Sequence, residues 1–556
     1  MKKFRKPSEK IPIIKEPLSS STLSEMVETT VNLYGSNTAF LMPRGTTIYQ
    51  ITYGQVLDYV ERFARYLRDL GIEKGDHIGI LAENRPEWGI TLFTLSWLGA
   101  VAVPLDARAR PEDNKFILSF SDAKALIVSN SYYQKMNLFS DDLPGLKHIV
   151  RMDELDQISN KYSKGIPSAQ IEPDDLLEIL FTSGTTGNPK GVMLTHRNIM
   201  SNASDIYSII DYNYTDRAFS VLPIHHSYEC TAGLISTFSS GMSIFYARGL
   251  KPRELLEDLI EARPTIWLNT PLLLEKLYLR IEKQLAGQKG LKRLITKALP
   301  NSIIGKKIKQ NLGLERSRLI VSGGAALSPW VTQGFKKYGI DIIEGYGLSE
   351  ASPLISANPP TRPKVGSIGM VIPSDEVEIR DVDNEGNGEI VARGPNVMKG
   401  YYKNPSATDK VLTKDGWLLT GDIGYFDEEG YLYITGRKKY LIVTKGGKNI
   451  FPEEIEEKLT RSVFIEEALV FSPNDNDILA LIYPNLDEIA ENLNSQVEQL
   501  SKEEIMGLIK NEVQRSNSQL VSYKRIRNFD IRLEEFPKTT TRKIKRYLFD
   551  NLEIQP

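Results

Sequence analysis

Cysteine is nearly absent from the sequence: Cys230 is the single cysteine among 556 residues. One cysteine excludes an internal disulfide and a metal site built from several cysteines, and it is typical of a protein in the reducing cytosol. The five histidines are scattered, which disfavours a zinc site built from histidines. We therefore predict a cytoplasmic location and look for function in other residue types.

The sequence also lacks a strong net charge and a long apolar run. Its formal net charge is −2, so we expect no nucleic-acid partner. The basic N-terminus is not followed by an apolar stretch of signal-peptide length. The uncharged segment from Trp88 to Leu105 is interrupted by Gly99 and Pro104. This pattern favours a buried helix, turn and strand over membrane contact.

The length predicts several domains. The pattern of apolar and polar residues also changes along the chain. From Ile51 to about Pro359, helical patterns alternate with short apolar runs such as "DHIGILAEN" and "KALIVSN", which are typical of central strands in a parallel sheet. From about Gly366 the pattern becomes short alternating strands, with a turn at 384–388. After Phe451 a small α+β section follows. The predicted fold class is α/β.

The stretch "FTSGTTGNPKG" follows an apolar run and has the composition of a phosphate-binding loop. Glycines let backbone N–H groups approach an anion, hydroxyls add donors, and Lys190 adds a mobile positive charge. The spacing differs from that of the common P-loop, which disfavours a P-loop kinase or ATPase. The predicted phosphate-binding residues are Thr182, Ser183, Gly184, Thr185, Thr186, Gly187 and Lys190.

Four other loops carry residues suited to a nucleotide, although any one of them taken alone could be an ordinary turn. In "EGYGLSE", Tyr346 could stack on a purine and Glu350 could ligate Mg²⁺. The glycines of "SGGAAL" allow the backbone to lie against a flat base. In "TGDIG", Asp422 could accept hydrogen bonds from ribose hydroxyls. In "GRKKY", Arg437 could bind a ribose or a phosphate. The predicted nucleotide-binding residues in these loops are Gly323, Gly324, Ala325, Glu344, Gly345, Tyr346, Gly347, Ser349, Asp422 and Arg437.

Taken in order, these motifs resemble the adenylate-forming superfamily of acyl-CoA synthetases, luciferases and peptide-synthetase adenylation domains. The resemblance rests on "FTSGTTGNPKG", "LPIHHSYE", "SGGAAL", "EGYGLSE", "TGDIGYFDEEGYLYITGRKKYLIVTKGGKNIFPEEIE" and "PKTTTRKIKR", and it extends from about Thr22 onward. It implies a large N-terminal domain of βα-type sheets with a distorted β-barrel section, residues 1–438. It also implies a small mobile α+β domain, residues 439–556, with the active site between the two.

The resemblance implies two half-reactions: a carboxylate attacks ATP to give acyl-AMP and pyrophosphate, and a thiol, usually coenzyme A, then displaces AMP. Thr182 and Glu350 would hold Mg²⁺. The remaining implied roles are His226 at the acyl pocket, Lys543 as the adenylation lysine that also contacts the nucleotide, Lys439 as the hinge, and Gly446, Gly447 and Lys448 in the coenzyme A channel. Four positions depart from the family pattern: Arg542 stands where many members have glycine, Tyr440 where aspartate is frequent, Ser349 where threonine is frequent, and Ala326 where proline is frequent.

The acid substrate is predicted from weaker signals. Two features, the region "LLLEKLYLRIEKQLAGQKGLKRLITKALPNSIIGKKIKQNLGLERSRLIVSGG" and the second histidine, His225, resemble long-chain fatty acyl-CoA synthetases. We therefore favour a long-chain fatty acid–CoA ligase. An acyl-AMP ligase that loads a carrier protein, a medium-chain or aryl-CoA ligase, and a non-catalytic nucleotide-binding scaffold remain as alternatives. The basic segment 289–310 either forms a solvated helix pair or touches the inner membrane face, and a homodimer also stays open.

Overall fold

The computed structural model describes residues 6–7, 9–139, 142–182, 189–287, 299–444, 448–473, 477–538 and 544–549. Its strands are β1 (Thr38–Arg44), β2 (Thr47–Thr52), β3 (His77–Leu81), β4 (Val101–Pro104), β5 (Ala125–Val128), β6 (His148–Arg151), β7 (Leu176–Thr182), β8 (Lys190–Thr195), β9 (Arg217–Ser220), β10 (Ser243–Tyr246), β11 (Ile266–Asn269), β12 (Leu319–Ser322), β13 (Ile342–Gly347), β14 (Leu354–Ala357), β15 (Met370–Val371), β16 (Glu376–Arg380), β17 (Gly388–Arg393), β18 (Gly400–Tyr401), β19 (Leu418–Phe426), β20 (Leu432–Arg437), β21 (Ile442–Val443), β22 (Asn449–Ile450), β23 (Ile465–Phe471), β24 (Ile478–Pro484) and β25 (Ile526–Ile531).

The described α-helices are α1 (Leu23–Tyr34), α2 (Tyr53–Asp69), α3 (Pro86–Leu98), α4 (Pro111–Phe120), α5 (Asn130–Asn137), α6 (Leu155–Lys161), α7 (His196–Ile209), α8 (Ser236–Ser239), α9 (Pro252–Ala262), α10 (Pro271–Ala286), α11 (Asn301–Asn311), α12 (Pro329–Lys337), α13 (Pro405–Val411), α14 (Pro452–Thr460), α15 (Leu486–Leu493) and α16 (Lys502–Ser518). A π-helix spans Tyr228–Ile235. Short 3₁₀ turns lie at Met152–Glu154, Ser349–Ala351, Lys438–Tyr440, Val497–Gln499, Ser522–Lys524 and Arg546–Phe549.

Two large sheets form the first part of the chain. Among the described residues, a nine-stranded sheet has the order β15-β14-β13-β12-β11-β9-β10-β1-β2, and a seven-stranded sheet has the order β18-β8-β7-β4-β3-β5-β6. The central pairs are parallel, for example β11 with β12 and β3 with β5. The apolar runs predicted to be central strands, including the fully buried β5, are thus central strands. This confirms the predicted α/β class.

The uncharged segment from Trp88 forms the predicted helix, turn and strand. Every residue of α3 and β4 is buried, because the helix packs inside the domain instead of facing solvent. Gly99 ends the helix with φ of 69°, a backbone conformation that favours glycine. Within the described part of the chain, no helix is both long and apolar enough to cross a bilayer.

The short alternating strands predicted from about Gly366 form an antiparallel sheet of order β16-β17-β19-β20. Because β16 and β20 are edge strands of this sheet, the described residues contain no closed barrel here. The predicted turn lies between β16 and β17, where Asp383 Oδ1 accepts hydrogen bonds from the backbone N–H groups of Glu385 (2.8 Å) and Asn387 (2.9 Å). The alternating sequence pattern therefore predicted these strands. The expectation of a barrel came only from the family resemblance.

The last part of the chain is the predicted small α+β unit. Strands β23, β24 and β25 form a sheet, and α14, α15 and α16 accompany it. The unit has its own apolar core, in which Ile455, Ile482 and Ile509 are fully buried. A core of its own is what a separate domain requires. The boundary at residues 438 and 439 and the mobility of this domain stay predictions.

The basic segment 289–310 is described only in part, because residues 288–298 lie outside the described ranges. Helix α11 buries Gly305 and Ile308, while Ile303 is exposed together with Lys306 and Lys307. This arrangement is compatible with both predicted interpretations, the solvated basic surface and the membrane contact.

Candidate active site

The predicted phosphate loop connects two neighbouring antiparallel strands. In this pair Thr182, the last residue of β7, lies opposite Lys190, the first residue of β8. The hairpin therefore brings a hydroxyl and an ammonium group to the two sides of the loop entrance. The predicted phosphate-binding residues Ser183, Gly184, Thr185, Thr186 and Gly187 lie outside the described residues.

Glu350, the predicted metal ligand, lies in the 3₁₀ turn after β13 and is fixed from two directions. Its backbone carbonyl accepts a hydrogen bond from the N–H of Met398 at 2.9 Å. Its carboxylate oxygen Oε1 accepts a hydrogen bond from the hydroxyl of Tyr401 at 2.8 Å. The neighbouring Ser349 Oγ lies 3.4 Å from Ser227 Oγ, which links this turn to the residue after His226.

The turn that carries Glu350 depends on a close approach at Gly347. The backbone N–H of Leu348 donates to the carbonyl of Pro353 at 2.9 Å, so the chain returns directly over Gly347. A Cβ atom added to Gly347 would lie 1.8 Å from that carbonyl oxygen. Only glycine fits this position without a backbone shift.

Asp422, Arg437 and Tyr346 meet in one hydrogen-bonded cluster. Asp422 on β19 faces Arg437 on β20, and its Oδ1 lies 2.7 Å from Arg437 Nε. The Tyr346 hydroxyl donates to Asp422 Oδ2 at 2.7 Å. Burial, followed by the charge of Asp422, raises the pKa of Tyr346, so its hydroxyl remains a donor. Sequence reasoning predicted all three residues separately, and the structure places them together.

Arg437 also interacts electrostatically with Glu350. Burial lowers the pKa of the guanidinium, but Asp422, Tyr346 and Glu350 together outweigh that effect and raise it. The arginine is therefore a permanent cation that pairs with Asp422 and also interacts electrostatically with Glu350. Such a cation suits a phosphate or a ribose that enters beside it.

The predicted adenine-binding loop begins at the end of β12, next to β13. Gly324 has φ of 84°, and its added Cβ would meet no atom within 4 Å, so the loop is open at this point. Gly323 is buried, whereas Gly324 and Ala325 are exposed. An exposed backbone beside the buried Gly323 offers a flat surface against which a base could lie.

Glu344 lies on β13 at the base of this loop. Its Oε2 accepts a hydrogen bond from the backbone N–H of Leu327 at 3.3 Å. Within the described residues its Oε1 has no hydrogen-bond partner. Burial raises the pKa of Glu344 to about 7. A carboxyl group with this pKa can donate as well as accept a hydrogen bond near neutral pH. Gly345 follows on the same strand.

The rings of the two histidines of "LPIHHSYE" contact each other just before the π-helix, with centroids 4.2 Å apart and planes tilted by 42°. His225 Nε2 lies 3.6 Å from Asp106 Oδ1, on the loop after β4. Burial, followed by His226 and Arg108, lowers the pKa of His225 well below its usual value. The structure thus joins His226 to the Glu350 turn through Ser227, while His225 faces the other large sheet.

The predicted residues of the small domain are only partly described. Lys439 lies in the 3₁₀ turn Lys438–Tyr440, directly after β20 and therefore next to Arg437. The backbone N–H of Lys448 donates to Thr444 Oγ1 at 3.0 Å. The adjacent Asn449 donates to Asp383 Oδ2 at 2.9 Å, so this strand lies by the turn between β16 and β17. Lys543, Gly446 and Gly447 lie outside the described residues.

Sequence reasoning missed Tyr401. It lies on the short strand β18, in "KGYYKNP", where the local pattern gives no sign of chemistry. Its importance follows from pairing between β18 and β8, which are distant in the sequence. Ser227 was also missed, although it directly follows the predicted His226.

The donors present fit a magnesium ion that is held mainly by a nucleotide. In the described part of the chain, no group of three or more His, Cys, Asp or Glu side chains could form a metal cage. Mg²⁺ usually binds through one or two carboxylates, together with water and substrate phosphates. Glu350 and Thr182 supply hard oxygen donors of this kind, on the turn and the hairpin described above.

Comparison with known proteins identifies the family. The AMP-binding enzyme family matches residues 27–402, and the AMP-binding enzyme C-terminal domain matches residues 439–551. The chain is 30% identical to the long-chain-fatty-acid–[acyl-carrier-protein] ligase AEE15, chloroplastic, of Arabidopsis thaliana, over 87% of this chain and 79% of the relative. It is also 30% identical to the long-chain-fatty-acid–CoA ligase FadD15 of Mycobacterium bovis, over 78% of this chain and 77% of the relative.

Solved structures show the same fold. The anthranilate CoA ligase AuaEII in complex with anthranoyl-AMP has a TM-score of 0.78 and 24% identity, and the match covers 95% of this chain and 96% of that one. These matches confirm the resemblance inferred from the motifs. The chain belongs to the AMP-binding enzyme family of the adenylate-forming superfamily, among the AMP-forming ligases that join an acid to a thiol.

Proposed function

We propose that this chain is a long-chain fatty acid–CoA ligase that forms acyl-AMP and then acyl-CoA. The observation that carries the proposal is the cluster of Asp422, Arg437 and Tyr346, together with Glu350 and the hairpin of Thr182 and Lys190. These residues supply the cations and hard oxygen donors that binding of ATP and Mg²⁺ would require. The long-chain assignment is supported by relatives such as FadD15, which carry that substrate in their names.

In this proposal each residue acts on a particular part of ATP. Asp422 accepts hydrogen bonds from the ribose hydroxyls, and Tyr346 lies against the adenine. Lys190 and the loop 182–190 hold the β- and γ-phosphates, which leave as pyrophosphate. In-line displacement at phosphorus gathers negative charge between two anions, so fixed cations supply most of the acceleration. Bound Mg²⁺, held by Glu350 and Thr182, would neutralise part of this charge.

The proposed second half-reaction needs a different arrangement of the small domain. Lys543 would contact the carboxylate and α-phosphate oxygens during adenylation, and rotation about Lys439 would then withdraw it. Residues 446–448 would line the coenzyme A channel after this rotation. A rotation of this kind needs only a few residues to absorb the change in backbone angles. His226 would border the acyl chain throughout.

A second candidate function is supported by one comparison. The relative AEE15 is named as a ligase that uses an acyl carrier protein, and it is as similar to this chain as FadD15 is. The same adenylation site can serve both acceptors, because the acceptor thiol enters only after acyl-AMP has formed. The alternative acceptor is therefore the phosphopantetheine thiol of a carrier protein.

The test is pyrophosphate release with ATP and Mg²⁺ across fatty acids of graded length and one aromatic acid. Each acid is assayed alone, with coenzyme A and with a phosphopantetheinylated acyl carrier protein. We expect release to be greatest with long chains and acyl-CoA to accumulate. Lys543→Ala is expected to lose adenylation while keeping the conversion of supplied acyl-AMP to acyl-CoA.

Product analysis separates the alternatives. Acyl-carrier-protein formation without acyl-CoA would replace the proposed acceptor by the second candidate. Release that is greatest with the aromatic acid would overturn the long-chain assignment. No release with any acid would overturn the proposed function itself.

A further inference from the structure

The segment from Met398 to Tyr402, which contains β18, contacts both the phosphate hairpin and the predicted metal ligand. Tyr401 pairs with Val192 on β8, and the backbone N–H of Tyr402 donates to the carbonyl of Gly191 at 2.7 Å, one residue beyond Lys190. On the other side, the N–H of Met398 donates to the carbonyl of Glu350 at 2.9 Å. One short segment therefore fixes the backbone of both site elements.

The side chain of Tyr401 contacts the same two elements. Its hydroxyl donates to Glu350 Oε1 at 2.8 Å, and the ammonium of Lys190 lies 4.9 Å from the centre of its ring. The residue is only 6% exposed. One buried side chain therefore contacts both predicted site residues.

We propose that Tyr401 is a positioning residue that orients Glu350 for Mg²⁺ and Lys190 for the phosphates of ATP. This inference rests on the proposed function of the Glu350 site. The hydrogen bond engages Oε1 and restricts rotation of the carboxylate, so the group is already oriented before the metal arrives. Partners of this kind typically contribute about 10- to 100-fold to metal affinity or activity.

The chain offers a matched control in the next residue. Tyr402 also donates its hydroxyl to a carboxylate, Asp122 Oδ2, at 2.9 Å. The ring of Tyr402 lies against His77 and Phe120, so this side chain contacts neither Glu350 nor Lys190 in the described residues. Tyr401→Phe and Tyr402→Phe thus remove the same atom and the same type of hydrogen bond. Phenylalanine keeps the ring, so the contact between Lys190 and residue 401 is preserved and the hydroxyl is tested alone.

The experiment measures ATP binding to the full chain by equilibrium dialysis as Mg²⁺ is titrated, without an acid substrate. We expect Tyr401→Phe to raise the half-saturating Mg²⁺ concentration roughly tenfold. Tyr402→Phe is expected to match the unmodified protein, and AMP binding without metal is expected to be the same in all three. In the background of Glu350→Gln, Tyr401→Phe should have no further effect on the Mg²⁺ dependence.

A Mg²⁺ dependence of Tyr401→Phe equal to that of Tyr402→Phe would overturn the inference. A general structural role predicts another result, in which metal-free AMP binding and the thermal midpoint fall together with ATP binding. Tyr401→Leu, which removes ring and hydroxyl, should further weaken ATP binding through Lys190, and no added loss would overturn the second half of the inference. Because no turnover is required, failure of the proposed function is seen separately, as intact Mg²⁺-dependent ATP binding without pyrophosphate release.

Discussion

Two buried glutamates, Glu178 on β7 and Glu229 in the π-helix, lie in the apolar interior of the large domain, and neither has a role in the proposed reaction. Both are at most 2% exposed, and Cys230 lies close to both carboxyl groups. Burial raises the pKa of each to about 8. In the folded protein both groups are therefore mostly protonated at neutral pH, whereas in the unfolded chain they ionise near pH 4.5.

This difference in pKa between the folded and unfolded states determines whether stability rises or falls with pH. Below pH 4.5 both states carry the proton and the contribution of each glutamate is fully present. Between pH 4.5 and about 8 the unfolded state loses the proton first, so stability falls as pH rises. We expect Glu178→Gln to reduce this slope by roughly 1.4 kcal/mol per pH unit, which is the value of one proton. Urea unfolding of the large domain across this pH range measures it.

The glutamine variant can also change stability by a constant amount, because its amide must find new hydrogen-bond partners. Such an offset does not alter the slope, which is the quantity that identifies the titrating group. Glu229→Gln should reduce the slope in the same way. Parallel curves for the unmodified protein and both variants would show that neither carboxyl group keeps its proton on folding.

The ion pair of Asp422 leads to a second prediction at the residue scale. Asp422 accepts from both Arg437 and Tyr346, and its side chain is 3% exposed, whereas that of Arg437 is 39% exposed. Asp422→Asn keeps the shape and removes the charge, and we expect a loss of about 2 kcal/mol in unfolding free energy, reduced from the buried limit by the exposure of Arg437. Tyr346→Phe removes one hydrogen bond and should cost about 1 kcal/mol. Equal losses in chemical denaturation would contradict this ranking.

At the scale of elements, the path of the chain into the turn after β13 is limited by the space around two glycines at the end of that strand. A Cβ on Gly347 would lie 1.8 Å from the carbonyl oxygen of Pro353, which is backbone and cannot rotate away. A Cβ on Gly345 would lie 3.3 Å from Leu354 Cδ1, which is the end of a side chain. We expect Gly347→Ala to cost about 3 kcal/mol or more, and Gly345→Ala about 1 kcal/mol. Thermal unfolding compares the two variants.

The same pair of variants tests whether the turn positions Glu350. Gly347→Ala should weaken Mg²⁺-dependent ATP binding even when the protein remains folded, since the backbone shift moves the Glu350 turn. The smaller displacement in Gly345→Ala should leave that dependence closer to normal. A reversed order of stability would mean that the turn can relax at Gly347.

Elements defined by local sequence were predictable, and contacts between distant elements were not. Helix α3 and strand β4 follow from an uncharged run with Gly99 at its centre, and the phosphate hairpin follows from glycines and hydroxyls after an apolar strand. The pairing of β18 with β8 joins residues that are far apart in the sequence, so no local pattern indicates that Tyr401 meets Glu350. The cluster of Tyr346, Asp422 and Arg437 was predicted by residue type, but its hydrogen bonds required the fold.

At the scale of the whole molecule, a few polar contacts join the small unit to the large one. Lys283 on α10 lies 3.1 Å from Glu488 Oε1 and 2.6 Å from Glu491 Oε2 on α15. Asn449 donates to Asp383 as described above. Exposed ion pairs contribute about 0–1 kcal/mol and weaken with salt. Contacts of this strength can hold one orientation and still allow the rotation that the proposed second half-reaction needs.

Lys283→Glu replaces these attractions by repulsion between three carboxylates. We expect a roughly threefold faster cleavage by protease at the junction near residues 438–444, because the small unit is held less firmly. The increase should shrink at high salt.

Glu491→Lys in the same chain restores opposite charges and should bring the cleavage rate back toward that of the unmodified protein. Lys276→Glu makes the same charge change on α10, where the described residues show no ion pair for Lys276, and should have little effect. Equal acceleration by both lysine variants would assign the change to net charge, whereas acceleration that Glu491→Lys reverses assigns it to this contact between the two units.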